Sequence, residues 1–290
     1  MAPERRRRIA VAPVSGALGA EVSGVDLADL DDECFAEIHR AFLAHQVLFF
    51  RDQVLTPDAF VALARRFGPI GAYPFAQGLP DHPEIVEIVK EPDQTSNFGG
   101  MWHSDTAYLP RPPKATLLLA VETPPTGGDT LFASLTSAYE SLSEGFRKTL
   151  DSLRAVNTSA LHGAALRGDH LQTGSMAAKR AADEALEAVH PCVRVHPGTG
   201  RRALYVNPAH TARFADMTAE ESRLLLAFLF EQAARPELTC RFRWSPGALA
   251  VWDNRCTWHC AINDYDGHRR VMRRITIEGE VPQGVFDASA

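Results

Sequence analysis

A predominantly β core decorated by α-helices is the fold class this sequence predicts, and three observations predict it. Apolar residues recur in short bounded runs such as Val47–Phe50 and Ala115–Val121, too short for surface helices and too apolar to be exposed. Helical periodicity with cap signals is confined to a few stretches between those runs. No repeat period and no low-complexity linker divides the 290 residues, so one domain over residues 9–282, with tails at 1–8 and 283–290, accounts for the length.

Composition narrows the function classes. With 45% apolar residues the chain can bury a sizeable core. A formal net charge of −6 and a pI near 6.0 give no broad basic surface, which argues against nucleic acid as the main partner. The basic run Arg5–Arg8 is followed by only Ile9–Ala12 before Pro13, too short an apolar core for an export signal, so it reads as a solvated tail. No stretch has the apolar length of a membrane span, and the expectation is a soluble chain with no membrane partner. Five cysteines, an odd number without a Cys-x-x-Cys pair, describe no disulfide framework and suit a reducing cytoplasm. Cys256 and Cys260 flank His259 but lack a further ligand at zinc-knot spacing, so they read as small buried residues.

Taken in order, residues 9–30 alternate apolar runs with Gly16, Gly19 and Gly24, which predicts a strand, a turn and an edge strand. Asp31 or Asp32 caps a helix through His45 that carries Phe35, Ile38, Phe42 and Leu43 on one face, and Val47–Phe50 follows as a buried strand. Thr56-Pro57 opens a second helix, with the threonine as cap and the proline in the first turn, and Gly68-Pro69 ends it. Glu84–Val89 and Ala115–Val121 are strand candidates, and Gly127-Gly128 makes a tight turn into another strand. Two helices are predicted near 135–142 and 144–156. The polar, glycine-punctuated stretch 157–189 reads either as a mobile lid or as a plain surface excursion. Thr218-Ala219-Glu220-Glu221 is a capping box before a helix that ends near Ala234, and Leu238–Trp244, Ala248–Asp253 and Val271–Glu278 are β-rich.

The chemistry concentrates in Gly99–Thr106. His103 and Asp105 stand two residues apart, and if the stretch is extended both side chains leave one face and can grip one metal ion. His259 is the best third ligand. Two imidazoles and a carboxylate on one side of a metal leave the opposite positions open, the arrangement of non-haem Fe(II) oxygenases. In the last strand Arg270, Met272, Arg274 and Thr276 share a face, so two arginines point the same way from an apolar strand. A buried guanidinium cannot shed its proton and must meet an anion. An internal acidic partner or a ligand carboxylate would serve.

His103-x-Asp105, Gly127-Gly128-Asp129-Thr130, Trp252-Asp253-Asn254-Arg255 leading to His259, and Arg270 eleven residues later together resemble the taurine dioxygenase/TfdA family over about residues 9–282. The resemblance implies a double-stranded β-helix, or jelly roll, and the use of Fe(II), 2-oxoglutarate and O₂ to oxidise an unactivated C–H bond of a small molecule, with release of succinate and CO₂. It implies His103, Asp105 and His259 as iron ligands, Arg270 and Thr130 on the distal carboxylate of 2-oxoglutarate, and Arg274 on an anionic group of the prime substrate. Trp102 and Trp252 read as packing residues. A homodimer or homotetramer is implied by the same resemblance. Related iron halogenases lack the carboxylate ligand, so Asp105 predicts oxygenation. A Zn(II) hydrolase on the same triad leaves Arg270 and Thr130 without a role, and a non-catalytic jelly-roll binder needs no intact triad.

For the substrate, the polar set of taurine-specific relatives is replaced here by Ile70–Phe75 in one loop and Phe98–Met101 before His103. A small zwitterion would leave its ammonium unpaired there. Tyr73, Phe75 and Met101 predict a more apolar pocket, suited to an aryloxyalkanoate, an alkyl sulfate, or a terpenoid or other secondary-metabolite acid, with taurine or an alkylsulfonate as the alternative. His162 and Leu166 are candidate pocket residues from the 157–189 excursion.

Overall fold

The computed structural model describes residues 9–161 and 185–287. Its elements in order are β1 (Ala10–Pro13), β2 (Ala20–Ser23), α1 (Asp32–His45), β3 (Val47–Phe50), α2 (Pro57–Phe67), β4 (Ile70–Gly71), β5 (Val86–Lys90), β6 (Ala115–Glu122), β7 (Thr130–Ser134), α3 (Leu135–Glu140), α4 (Glu144–Asp151), β8 (Arg154–Thr158), β9 (Glu187–Pro191), β10 (Val193–Val195), β11 (Arg202–Leu204), β12 (Thr211–Phe214), α5 (Ala219–Ala233), β13 (Thr239–Phe242), β14 (Leu249–Asp253), β15 (Thr257–Ala261) and β16 (Arg270–Ile277).

The large sheet runs β1-β2-β3-β14-β6-β16-β4, with β5 also on β16, and a facing sheet runs β13-β7-β15. Pairing is antiparallel except between β2 and β3, and neither sheet closes on itself. The sequence of β3 shows how the layers form. All four of its residues are buried, because alternate side chains meet different partners. Leu48 and Phe50 join Ile38, Phe42, Phe60 and Leu63 of α1 and α2, while Val47 and Phe49 join Phe132, Phe242 and Trp252 between the sheets. Phe49 stacks on Phe242 with ring centres 4.1 Å apart. A strand covered on both sides loses polar alternation, which is why this run is continuously apolar.

The helix starts follow their cap chemistry. Asp31 accepts the Cys34 amide at 2.7 Å, Thr56 caps α2 beside Pro57, and Thr218 with Glu221 forms the reciprocal box of α5. The expected helix through Val156 is shorter than predicted. It stops at Asp151, and Arg154–Thr158 pairs as β8 between β9 and β12. The strand expected over Glu84–Val89 begins at Val86. Of the 157–189 excursion, residues 162–184, including His162 and Leu166, lie outside the described residues, and its ends belong to β8 and β9. No described helix is long and apolar enough to cross a membrane. All five cysteines are unpaired, with Cys256 buried and Cys260 half-buried.

Candidate active site

Two chain segments bring the triad together, the loop that carries His103 and Asp105 and the strand that carries His259. His259 lies in β15, and His103 joins it through one antiparallel bridge whose amides and carbonyls exchange hydrogen bonds of 3.1 and 2.9 Å. The stretch is not extended as far as Asp105. The chain turns after His103, with Thr106 at φ 42°, and the Asp105 amide is held instead by Asn254 Oδ1 at 3.2 Å. Asp105 Oδ1 lies 3.7 Å from His103 Nε2 and 3.6 Å from His259 Nε2. One ligand atom from each residue can therefore sit within 4.8 Å of the others, the spacing a single metal ion requires.

Local hydrogen bonds prepare these atoms. His103 Nδ1 lies 2.7 Å from the Met101 carbonyl, which can only accept, so the proton sits on Nδ1 and the Nε2 lone pair faces the triad. Burial pulls the His103 and His259 imidazoles below their ordinary value, which keeps both neutral and able to ligate. Burial alone would raise the Asp105 carboxyl, but the Arg274 guanidinium and the Thr116 hydroxyl outweigh it and hold the group well below the ordinary carboxylate range. A neutral–neutral–anionic donor set fits a divalent ion and leaves a net charge near +1 on the occupied site.

Beside the triad, a cavity is lined by His103, His259, Thr130, Arg270, Arg274 and the apolar Ile88, Phe98, Leu118, Trp252 and Met272. Trp244 Nε1, which can only donate, gives its hydrogen to Thr130 Oγ1 at 2.9 Å, so the threonine's own hydrogen remains available for an anion. Arg270 Nε is buried without a hydrogen-bond partner among the described residues. Burial works against its charge, and the Tyr265 hydroxyl and Asp129 offset that only in part. An under-compensated buried guanidinium next to a free hydroxyl fits a carboxylate. Gly128 makes room for this clamp: a Cβ there would stand 3.3 Å from Arg270 Cδ.

Arg274 lies on the boundary of two spaces. Its Nη2 is 2.8 Å from Asp105 Oδ1, its Cζ is 5.3 Å from the centre of the Tyr73 ring, and its Nε is buried without a hydrogen-bond partner among the described residues. It lines both the triad cavity and an outer cavity of about 330 Å³ walled by Tyr73, Ala76, Leu79, Pro80, Pro83 and Val86 together with the polar Gln77 and Glu84. Phe75 does not face these spaces. It is fully buried and packs edge-on against Tyr73 and Tyr108, supporting the wall from behind. Met101 is half-buried and enters the site through its carbonyl.

Several contributors carry no motif: Thr116, Trp244, Tyr265 and His210, whose ring lies 6.2 Å from that of His103 and 4.9 Å from Tyr108. Trp252 packs its ring 4.6 Å from that of His259. A second cluster, His196, Asp253 and Cys256, also has metal-like spacing. It is consumed by its own bonds, since His196 Nδ1 accepts the Gly198 and Thr199 amides, its Nε2 reaches Asp253 at 2.9 Å, and Arg255 grips the same carboxylate through two nitrogens.

Comparison with known proteins identifies the family. The family model described as taurine catabolism dioxygenase TauD, TfdA family, matches residues 10–276. An alpha-ketoglutarate-dependent sulfate ester dioxygenase of Pseudomonas putida is 36% identical, covering 95% of this chain and 91% of its own. An alkylsulfatase of Acinetobacter baylyi is 34% identical over 93% of this chain and 85% of its own. The crystal structure of a taurine dioxygenase from Burkholderia xenovorans superposes with a TM-score of 0.81 at 37% identity, covering 96% of this chain and 93% of that one.

Proposed function

Since this chain belongs to the taurine catabolism dioxygenase TauD, TfdA family, we propose a residue-level reading of its site and a class of prime substrate. The fold is the family's jelly-roll core with flanking helices, and the chain is an Fe(II)- and 2-oxoglutarate-dependent dioxygenase that uses O₂ to oxidise a small organic molecule. In our reading His103, Asp105 and His259 hold the iron, Arg270 and Thr130 hold the distal carboxylate of 2-oxoglutarate, and Arg274 receives an anionic group of the prime substrate. The bound iron and 2-oxoglutarate supply the oxidising power, with one oxygen atom of O₂ going to succinate and the other to the product.

The protein supplies position and dryness. The Arg270 fork and the Thr130 hydroxyl fix one end of the dicarboxylate, so its oxoacid end is delivered toward the triad in one orientation. Ile88, Phe98, Leu118 and Met272 line the same cavity and exclude water from the oxidising centre. Asp105 occupies the third ligand position with a carboxylate, which favours oxygen transfer over halide transfer.

The substrate proposal rests on one observation, that Arg274 walls both the triad cavity and the larger, mainly apolar outer cavity. A molecule with one anionic group on Arg274 and an apolar body toward Tyr73, Leu79 and Val86 satisfies both. A sulfate ester, the substrate class in the name of the Pseudomonas putida relative, has that shape, and an aryloxyalkanoate or terpenoid acid has it too. Taurine lacks the apolar body that Tyr73, Leu79 and Val86 would cover.

Anaerobic protein loaded with Fe(II) and 2-oxoglutarate tests the reading. Wild type should show the weak visible charge-transfer band of the chelate, and Arg270→Ala should lose most of it. Addition of hexyl sulfate should perturb the band more strongly than taurine. Absence of a band with iron bound sinks the cosubstrate assignment, and a response to taurine alone sinks the substrate class.

A further inference from the structure

The carboxylate of Asp105 has two oxygens with different neighbours. Oδ1 faces both imidazoles and Arg274. Oδ2 lies 2.6 Å from Thr116 Oγ1, on β6. Behind Thr116 stands Asn254, whose Nδ2 is 2.9 Å from Thr116 Oγ1, and behind Asn254 stands Trp252, whose Nε1 is 3.0 Å from Asn254 Oδ1. Thr116 and Asn254 are fully buried and Trp252 is 2% exposed, so water does not compete for these bonds.

The direction of this chain of bonds is fixed by elementary chemistry. An indole N–H only donates, and the Asp105 amide donates to the same Asn254 oxygen, so two donors settle which end of the Asn254 amide is oxygen. Its nitrogen therefore faces Thr116 and must donate. The Thr116 hydroxyl accepts there, and its own hydrogen has one acceptor in reach, Asp105 Oδ2. Each bond leaves the next donor a single choice. The register of β14 on β6, which sets Trp252 opposite Thr116, supplies the spacing.

We propose that Thr116 is a positioning residue for the metal carboxylate: its hydroxyl, oriented by Asn254 and Trp252, engages Asp105 Oδ2 so that Oδ1 alone is presented to the metal. This rests on the reading of Asp105 as a ligand. A carboxylate that binds through one oxygen leaves three positions free on a six-coordinate ion, enough for a bidentate oxoacid and O₂, whereas binding through both oxygens removes one of them. The same hydroxyl also prevents the imidazole side of the site from losing the carboxylate to rotation. Thr116 thus acts on the open positions through Asp105 without touching substrate.

Full-length Thr116→Val keeps the shape and β-branching of the side chain and removes the hydroxyl, while Thr116→Ser keeps the hydroxyl. Titration with Mn(II) alone should give a dissociation constant raised by about 10- to 100-fold in the valine variant and close to wild type in the serine variant. At saturating Fe(II) without oxygen, 2-oxoglutarate should bind more weakly to Thr116→Val, because the released oxygen swings onto the metal. Trp252→Phe, which removes the first donor of the chain and also trims the ring packed against His259, should shift both constants in the same direction by less, and it serves as the test should the valine variant fold poorly. Mn(II) and 2-oxoglutarate constants unchanged in Thr116→Val, or in Trp252→Phe where that variant has to stand in, overturn the proposal and leave the ligand assignment intact. Wild type that binds no Mn(II) overturns the ligand assignment, and this proposal with it.

Discussion

The guanidinium of Arg274 lies 2.8 Å from Asp105 Oδ1, the oxygen that also faces His103 Nε2 and His259 Nε2 at 3.7 and 3.6 Å. A cation beside a metal carboxylate adds to the positive potential of the site and favours an anionic substrate next to the iron. Replacing Arg274 by leucine should therefore raise KM for an anionic substrate by roughly a hundredfold, about 3 kcal/mol for two charged hydrogen bonds. Arg274→Lys should recover only part of this, since an ammonium lacks the planar fork. Steady-state kinetics on hexyl sulfate checks both, and equal KM values in all three proteins would remove Arg274 from the substrate site.

The triad predicts a stability response as well. Any ion that binds the folded chain alone stabilises it, by about 2.7 kcal/mol at a hundred times its dissociation constant. Mn(II) should raise the melting temperature of wild type by several degrees and leave His259→Ala unmoved. A similar rise in both would place the ion elsewhere.

How much of this was legible in the sequence depends on the range of the interaction. His103 and Asp105 are two residues apart, and Arg270 and Arg274 share one strand face, so local spacing exposes them. The conformation between His103 and Asp105 was not legible, because the turn is stabilised by Asn254, far away in the chain. Thr116 sits in Ala-Thr-Leu-Leu-Leu-Ala-Val and reads as one more β-branched strand residue; only the pairing of β6 with β14 turns it toward Asp105. Strands β9 to β12 are short and bury His190, Arg194 and Thr211, which breaks the apolar alternation a strand signal needs. Arg154–Val156 looked helical for a related reason. Its strand state comes from pairing with β9 and β12, which local propensity does not encode.

Gly128 should prove to be a cosubstrate-site residue despite having no side chain. Its φ is +69°, and a Cβ would stand 3.2 Å from Pro124 Cγ and 3.3 Å from both Arg270 Cδ and Tyr265 Cδ1. A non-glycine residue in this left-handed region costs about 1–2 kcal/mol, and the crowding falls on the guanidinium that clamps 2-oxoglutarate. Gly128→Ala should raise the KM for 2-oxoglutarate by about tenfold, equivalent to 1.4 kcal/mol, with a smaller effect on kcat. Gly145→Ala, in α4 with nothing within 4 Å, is the control and should leave that KM unchanged. Identical constants for the two variants would separate the Gly128 turn from the clamp.

Acid should weaken the fold partly through His190. This residue is 3% exposed in β9, and its Nε2 lies 2.9 Å from the Leu109 carbonyl. Burial, with Arg194 and Arg154 adding to it, pulls the imidazole from its ordinary 6.5 to about 4, against smaller opposing effects of the Leu109 and Ala107 carbonyls. The sign follows from proton counting. Between those two values the unfolded chain binds a proton that the folded chain does not, so stability is complete above pH 6.5, declines as pH falls toward 4, and stops declining below it. The full loss is about 3 kcal/mol at 1.36 kcal/mol per pH unit. His190→Gln retains a side-chain donor for Leu109 but does not titrate, so its urea-unfolding free energy should fall less steeply from pH 7 to 4.5 than that of wild type. The buried His103 and His259 contribute a slope of the same sign in both proteins, which makes the difference between the two curves the quantity to measure. Parallel curves would mean that His190 is protonated in the folded chain as readily as in the unfolded one, and that its burial has been relieved by water.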